Sequence, residues 1–357
     1  MYDLVIVGGG PVGLATGIAA RQKGLSACVF ERKDGPVDKA CGEGIMPSGR
    51  ALLEQLGVTI KSAYPFDGIR YLNAKNVEEF ADGHFTGGGG FGVRRLELHR
   101  ALTERAREAG VHIVNTHANE VVLADDSVSV NGVEGRYLIA ADGLNSPLRR
   151  RFELEGAKPT RPRYGARQHF NTAPWSNKVE VYWSDHGEAY VTPVDEKTVG
   201  VAFLFYKPGA YADLLAQLPS LKDRLGRPAS KLLGAGPFMR SAKKRVKGRL
   251  LLVGDAAGYV DPLTGEGISL GILSGVIAVN CIADGCPERY DRAWRRAMLK
   301  YQVLTHGLLT LTRAKWIRRH LVAILRLVPF LFDFSLSLLG GKKKALQEQR
   351  DPSIHSL

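Results

Sequence analysis

The stretch Tyr2–Arg32, YDLVIVGGGPVGLATGIAARQKGLSACVFER, constrains this chain most. Asp3–Val7 is a short apolar run of the kind buried on both faces of a parallel sheet. Gly8-Gly9-Gly10-Pro11-Val12-Gly13 follows at once and fits G-x-G-x-x-G. In that pattern the first glycine permits a sharp turn, the second lets backbone approach a pyrophosphate, and the third lets the helix pack on the strand. The spacing predicts a helix over Pro11–Lys23 whose N-terminal N–H groups face the phosphates. Ser26–Phe30 is the next strand. Glu31 ends it, 21 residues after Gly10, where a carboxylate takes a ribose hydroxyl pair. This unit predicts a dinucleotide site, and by itself does not separate NAD from FAD.

Further along, Lys39–Pro47 holds Cys41-Gly42-Glu43-Gly44, a loop with backbone close to a ligand. Ser48–Leu56 is a predicted helix closed by Gly57. Residues 66–93 read as β structure, with the tetraglycine run Gly87–Gly90 as a hairpin turn. Arg94–Gly110 is an amphipathic helix with Arg95 at its start, either a solvated charge or a ligand contact. Short strands follow over His112–Val114, Glu120–Leu123, Val128–Val130 and Arg136–Ala141. The last runs into Asp142-Gly143-Leu144-Asn145-Ser146, with Arg149 beyond. From Phe152 to Lys247 the texture changes to alternating, half-buried strands over Val179–Trp183, Glu188–Val191 and Val199–Phe205, then a helix near Tyr211–Leu218. The first pattern resumes with a strand at Arg249–Val253, the loops Gly254–Gly258 and Asp261–Ile268, and a long apolar helix to Ala283.

The three motifs in this order resemble the p-hydroxybenzoate hydroxylase-like FAD superfamily, which holds flavin monooxygenases, geranylgeranyl reductases and flavin-dependent halogenases. The resemblance covers roughly residues 2–285. It implies FAD as cofactor and an α/β fold, with a Rossmann-like FAD-binding domain, an inserted antiparallel-sheet substrate domain and C-terminal helices. The expected boundaries are 1–151 with 248–286 for the FAD domain (with a β insertion near 64–93), 152–247 for the substrate domain and 287–357 for the helical end. Carried onto this chain, Gly8, Gly10, Pro11, Val12 and Gly13 would cradle the pyrophosphate and Glu31 the ribose. Arg32 and Arg95 would lie near adenosine and phosphates, and Val121 near adenine through its backbone. Cys41, Gly42 and Asp142 would border the flavin, and Asp255 its ribityl chain. Gly265, Gly267 and Ile268 would aim N–H groups at the flavin N1–O2 edge, stabilising the reduced anion without reorganisation. The loop Lys39-x-Cys41-Gly42-x-Gly44 is similar to the geranylgeranyl reductase-like branch. That branch has an aromatic-x-aromatic-Pro element where this chain has Tyr190-Val191-Thr192-Pro193. The halogenase W-x-W-x-I-P element is absent. No second G-x-G-x-x-G exists, so NAD(P)H would bind transiently or another protein would donate electrons.

Catalytic candidates are few: Glu43, His169 and Tyr190, each of which also reads as an ordinary loop or strand residue. The four cysteines show no C-x-x-C and no metal-ligand spacing, and fit a reduced cytosolic setting. A strand starting at residue 2 leaves no room for a signal peptide, so the expected location is cytoplasmic, at most peripheral on the membrane's inner face. The net charge is +13, and residues 287–357 hold 14 Lys+Arg against 5 Asp+Glu. No nucleic-acid motif accompanies that surplus. Tyr290–His320 reads as a basic helix. Leu321–Leu339 is nearly continuous apolar but carries Arg326, Pro329 and Asp333, and Lys342-Lys343-Lys344 follows. Charges and a helix breaker argue against a span. Residues 313–344 therefore read either as a contact with an anionic membrane surface or as a cover over the substrate pocket. Both point to a hydrophobic substrate. The leading expectation is an NAD(P)H-dependent monooxygenase acting on an aromatic, polyketide or isoprenoid molecule. The alternatives are a reductase of isoprenoid C=C bonds and a non-catalytic flavin sensor tethered to membrane or partner.

Overall fold

In a computed structural model the described residues are 1–86, 88–206 and 211–339, without the side chains of 338 and 339. Apolar runs that can be buried on both faces pair in parallel, and this sets the main sheet. Tyr2–Val7 lies in its middle, between Val133–Ala140 and Ala27–Phe30. Leu250–Leu252 and His112–Val114 extend the parallel set on either side. Val246–Lys247 adds an antiparallel edge, and Val121–Leu123 with Val128–Val130 forms an antiparallel extension of Val133–Ala140. Leu4, Val5, Ile6, Leu138, Ile139 and Leu250 to Leu252 have no exposure. The helices Pro11–Gln22 and Gly267–Ala283 cover the sheet and touch closely. A Cβ on Gly275 would lie 2.1 Å from Thr16 Oγ1. This is the doubly wound arrangement expected from the sequence, and its crevice lies beyond the carboxyl ends of the two central strands.

The second sheet runs in the order Leu233–Ala235, Tyr164–Asn171, Thr198–Phe205, Gly187–Asp195, Lys178–Trp183, Gly68–Asn73, Asn76–His84. Its pairs are antiparallel except one: Lys178–Trp183 runs parallel to Gly68–Asn73. The β insertion near 64–93 thus divides. Its hairpin completes the second sheet, while Gly90–Gly92 pairs with Tyr64–Phe66 on one side and with Gly44–Ile45 on the other in a small sheet. The expected hairpin turn at Gly87–Gly90 is corrected here. Gly87 lies outside the described residues, and Gly88–Gly90 link the two sheets. Cβ atoms on Gly89 and Gly90 would come within 2.5 Å of Phe66 O and 2.4 Å of Ile45 O, so close backbone approach selects these glycines.

The C-terminal helices are Tyr290–Leu311, Lys315–Leu327 and Pro329–Leu339. Leu321, Val322, Phe332 and Leu336 pack with Ile69, Tyr71, Val181 and Trp183 of the second sheet. The apolar run read as one segment, Leu321–Leu339, breaks at Val328-Pro329 and turns through 98°. Proline offers no N–H to continue a helix and pushes its predecessor out of helical geometry. Val328 accordingly has φ −132°. Among the described residues no single helix is long and apolar enough to cross a membrane. Lys342–Lys344, with the end of the 313–344 segment, lie outside the described residues.

Candidate active site

A cavity of about 830 Å³ runs from the first glycine turn, past the Asp142 and Asp255 loops, to the C-terminal helices. At the turn Gly8 has φ +109°, and a Cβ there would sit 2.4 Å from Ala141 O. Gly13 is more confined, since its Cβ would lie 1.8 Å from Gly8 O. Gly10 differs. It is extended, and the nearest heavy atom to its Cβ position is Arg95 Nη2 at 3.9 Å. Gly8 and Gly13 therefore serve the protein's own packing, while Gly10 keeps a face open to the cavity. The Gly9 N–H donates to Glu31 Oε2 at 2.9 Å, which fixes the acid at the rim. Arg95 Nε is buried without a hydrogen-bond partner among the described residues. His99 donates from Nε2 to Gly9 O at 2.8 Å, and its Nδ1 is also buried without a partner. Burial, opposed by the Gly9 bond and aided by Arg95, holds that imidazole below its ordinary range. An open glycine face beside an unsatisfied guanidinium and a helix N-terminus fits a pyrophosphate.

The next two loops are locked together by Arg149, a wholly buried side chain. It donates to Asp255 O, Ala256 O and Leu144 O, and pairs with Glu155 at 3.0 Å. Asp142 accepts the Leu148 N–H at 3.0 Å, while its Oδ1 is buried without a partner. Burial raises the carboxyls of Asp142 and Asp255, the latter against the pull of Lys39, Arg95 and Arg149. Asp261 caps Leu263 N–H, Gly265 takes the left-handed conformation, and Gly267 opens the helix to Ala283. Gly265, Gly267 and Ile268 line the cavity, so this helix presents its N-terminus there. Glu266, buried beside it, is pushed up to about 8 by desolvation.

The loop of Cys41 and Gly42 forms one wall. Glu43 holds it, with φ +61° and 2% exposure. Its Oε1 accepts the Arg95 backbone N–H at 2.8 Å, and its Oε2 lies 2.6 Å from His169 Nε2. Arg167 Nη1 lies 3.1 Å from His169 Nδ1 and can only donate, so Nδ1 accepts and the ring proton sits on Nε2, facing Glu43. Both Glu43 oxygens are thus engaged, and the dyad ties loop, helix and second sheet together. Tyr190 lines the cavity and donates to Leu263 O at 3.0 Å. Thr192, two residues on, faces the same way. Beyond them the walls turn apolar: Ile69, Tyr71, Val181, Leu204 and Phe238 from one side, Leu308, Leu321, Leu325, Phe332 and Leu336 from the C-terminal helices.

Gly8, Gly10, Pro11, Val12, Glu31, Arg32, Cys41, Gly42, Glu43, Arg95, Asp142, Tyr190, Asp255, Gly265, Gly267 and Ile268 all line this one cavity. His169 stands behind Glu43, and Gly13 packs beneath the turn. Val121 lies away from it, buried in the antiparallel extension, with its carbonyl accepting from Arg151 at 2.8 Å. Thr116, His117 and Ala118 line that end instead. Sequence reasoning missed His99 and Arg167, and left Lys39 and Arg149 without a role.

The FAD binding domain family matches residues 1–211. The chain belongs to this FAD-binding family. It is a flavoenzyme, and FAD is its cofactor. The flavoenzyme is 29% identical over 314 residues to a menaquinone reductase of Mycobacterium tuberculosis, covering 78% of this chain and 76% of that protein. It is 28% identical over 340 residues to a digeranylgeranylglycerophospholipid reductase of Methanoculleus marisnigri, covering 84% and 83%. Among solved structures, a flavin-dependent brominase superposes with a TM-score of 0.78 at 19% identity, over 95% of this chain and 93% of that one. That likeness concerns the fold alone.

Proposed function

We propose that this flavoenzyme reduces C=C bonds of an isoprenoid chain held in the apolar end of the cavity. The observation that carries the reading is the continuity of one cavity from the dinucleotide turn to a chamber walled by aliphatic and aromatic side chains on both sides. The names of the two reductase relatives support it, since both refer to substrates with prenyl chains. Bound FAD would supply two-electron transfer to one carbon of the double bond, with a proton completing the other. The residues of the chain do the rest. Gly10 and Arg95 would bind the phosphates, Glu31 the ribose, and the helix N-terminus at Gly267 would face the reduced ring's negative charge. The C-terminal helices would exclude water from the chamber.

Oxygen transfer to the same class of substrate is the second reading. Thr192 favours it, standing on the cavity wall where the reductase-like branch has an aromatic residue. In both readings the reductant is NAD(P)H bound transiently or a donor protein. The test is a pair of incubations of chemically reduced enzyme with a geranylgeranyl lipid and with a menaquinone, without and with oxygen. Saturated product without oxygen supports reduction. Product only with oxygen, carrying one added oxygen atom, contradicts it and supports the second reading.

A further inference from the structure

The last described helix is apolar on both faces, and this is unusual for an outer layer. In Pro329–Leu339, Phe332 and Leu336 are buried against the second sheet and the cavity. On the other side Phe330 is 67% exposed, Phe334 59% and Leu331 42%. A surface helix on a water-soluble body carries charged or polar side chains on its outer face. The polar side chains here are turned inward or back. Asp333 accepts the His84 N–H at 2.8 Å, and the Ser335 and Ser337 hydroxyls donate to carbonyls of their own helix. At the 98° bend Leu327 is 82% exposed, and at the start of the preceding helix Trp316 is 65% exposed. Around these lie the exposed cations Arg313, Lys315 and Arg326. Between Arg292 and Leu339 the sequence has nine Lys+Arg and one acid, Asp333, which the sheet already holds.

We infer that this bent pair docks on the surface of an anionic lipid bilayer, with Phe330, Leu331, Phe334 and Leu327 entering the interface and the cations meeting the headgroups. Charge complementarity selects the occupant. A second copy of the chain would bring the same cations face to face, whereas anionic lipid neutralises them. Interfacial helices combine an apolar face with a cationic flank and a Trp at the boundary, as here. The inner faces of the same helices line the chamber through Leu321, Leu325, Phe332 and Leu336, so a lipid-borne substrate would meet the chamber wall where the protein touches the bilayer.

Docking is read without turnover, so it stands or falls apart from the proposed chemistry. The full chain with bound flavin is sedimented with phosphatidylcholine vesicles, with and without phosphatidylglycerol. The expected result is co-sedimentation with the phosphatidylglycerol vesicles, reversed by high salt, with a blue shift of emission that Trp316→Phe removes. The double variant Phe330→Asp, Phe334→Asp should weaken binding by about tenfold or more while keeping its flavin spectrum and melting temperature, because both side chains are exposed. Absence of vesicle binding overturns the inference. So does unchanged binding of the double variant. Self-association that the same variant abolishes, without vesicle binding, assigns the face to a second copy and also overturns it.

Discussion

Two glycines of one motif do different work at the residue scale, and the difference is measurable. Gly13 has no room for a Cβ, with Gly8 O at 1.8 Å. Gly13→Ala should abolish folding into a soluble, flavin-containing protein, checked by expression and circular dichroism. Gly10 has an open face and ordinary extended backbone. Gly10→Ala should leave the melting temperature of the apoprotein unchanged while weakening FAD at least about tenfold, read by flavin titration. Glu266 carries a pH prediction. Its carboxyl is raised from 4.5 to about 8, so the folded state holds a proton that the unfolded chain has lost across that range. Stability contributed by the group is intact below about 4.5 and falls as pH rises to about 8, by about 1.4 kcal/mol per unit. Glu266→Gln should therefore stabilise the apoprotein at pH 8.5 and not at pH 4, in urea unfolding at the two pH values.

Much of the parallel sheet was legible at the element scale, because its strands are short apolar runs and its loops carry glycines at fixed spacing. The same clarity ended where partners are distant in sequence. Nothing local in Gly68–His84 says that it pairs with Lys178–Trp183, more than ninety residues on. His99 sits on a helix face that reads as core, and Arg149 reads as one of three consecutive arginines after Pro147-Leu148, so neither had a local signal. Val121 illustrates the reverse: a position taken from resemblance, which the chain fills with packing and an Arg151 contact. The C-terminal cover was legible as apolar and basic, and its tether was not. Arg163 bridges Asp261 at 2.8 Å and Glu188, and Arg318 of the cover pairs with Glu188 as well. Two cations and two anions, all nearly buried, join the cover to the second sheet and to the flavin-side loop. Without Arg318, Glu188 and Asp261 share the single cation Arg163, and the buried negative charge left over costs about 3 kcal/mol. Arg318→Met should lower the melting temperature and speed proteolysis between Thr312 and Val328, with the flavin spectrum kept.

For the whole molecule the parts form one sequence of causes. Glycine spacing sets the turn, the turn opens a face for phosphate, and the parallel sheet aims two more loops and a helix N-terminus at the same crevice. The second sheet and the C-terminal helices extend that crevice into an apolar chamber, and in the proposed reading this extension brings the cofactor to a hydrophobic substrate. The central claim is that electrons held at the crevice reach a C=C bond in the chamber. The direct measurement is a single turnover without oxygen: enzyme reduced in stoichiometric amount is mixed with a geranylgeranyl lipid, flavin absorbance is followed, and the lipid is analysed by mass spectrometry. Flavin reoxidation matched by lipid that has gained one pair of hydrogens per flavin is the expected result. Flavin that stays reduced, with lipid unchanged for both the geranylgeranyl chain and a menaquinone, would contradict the claim.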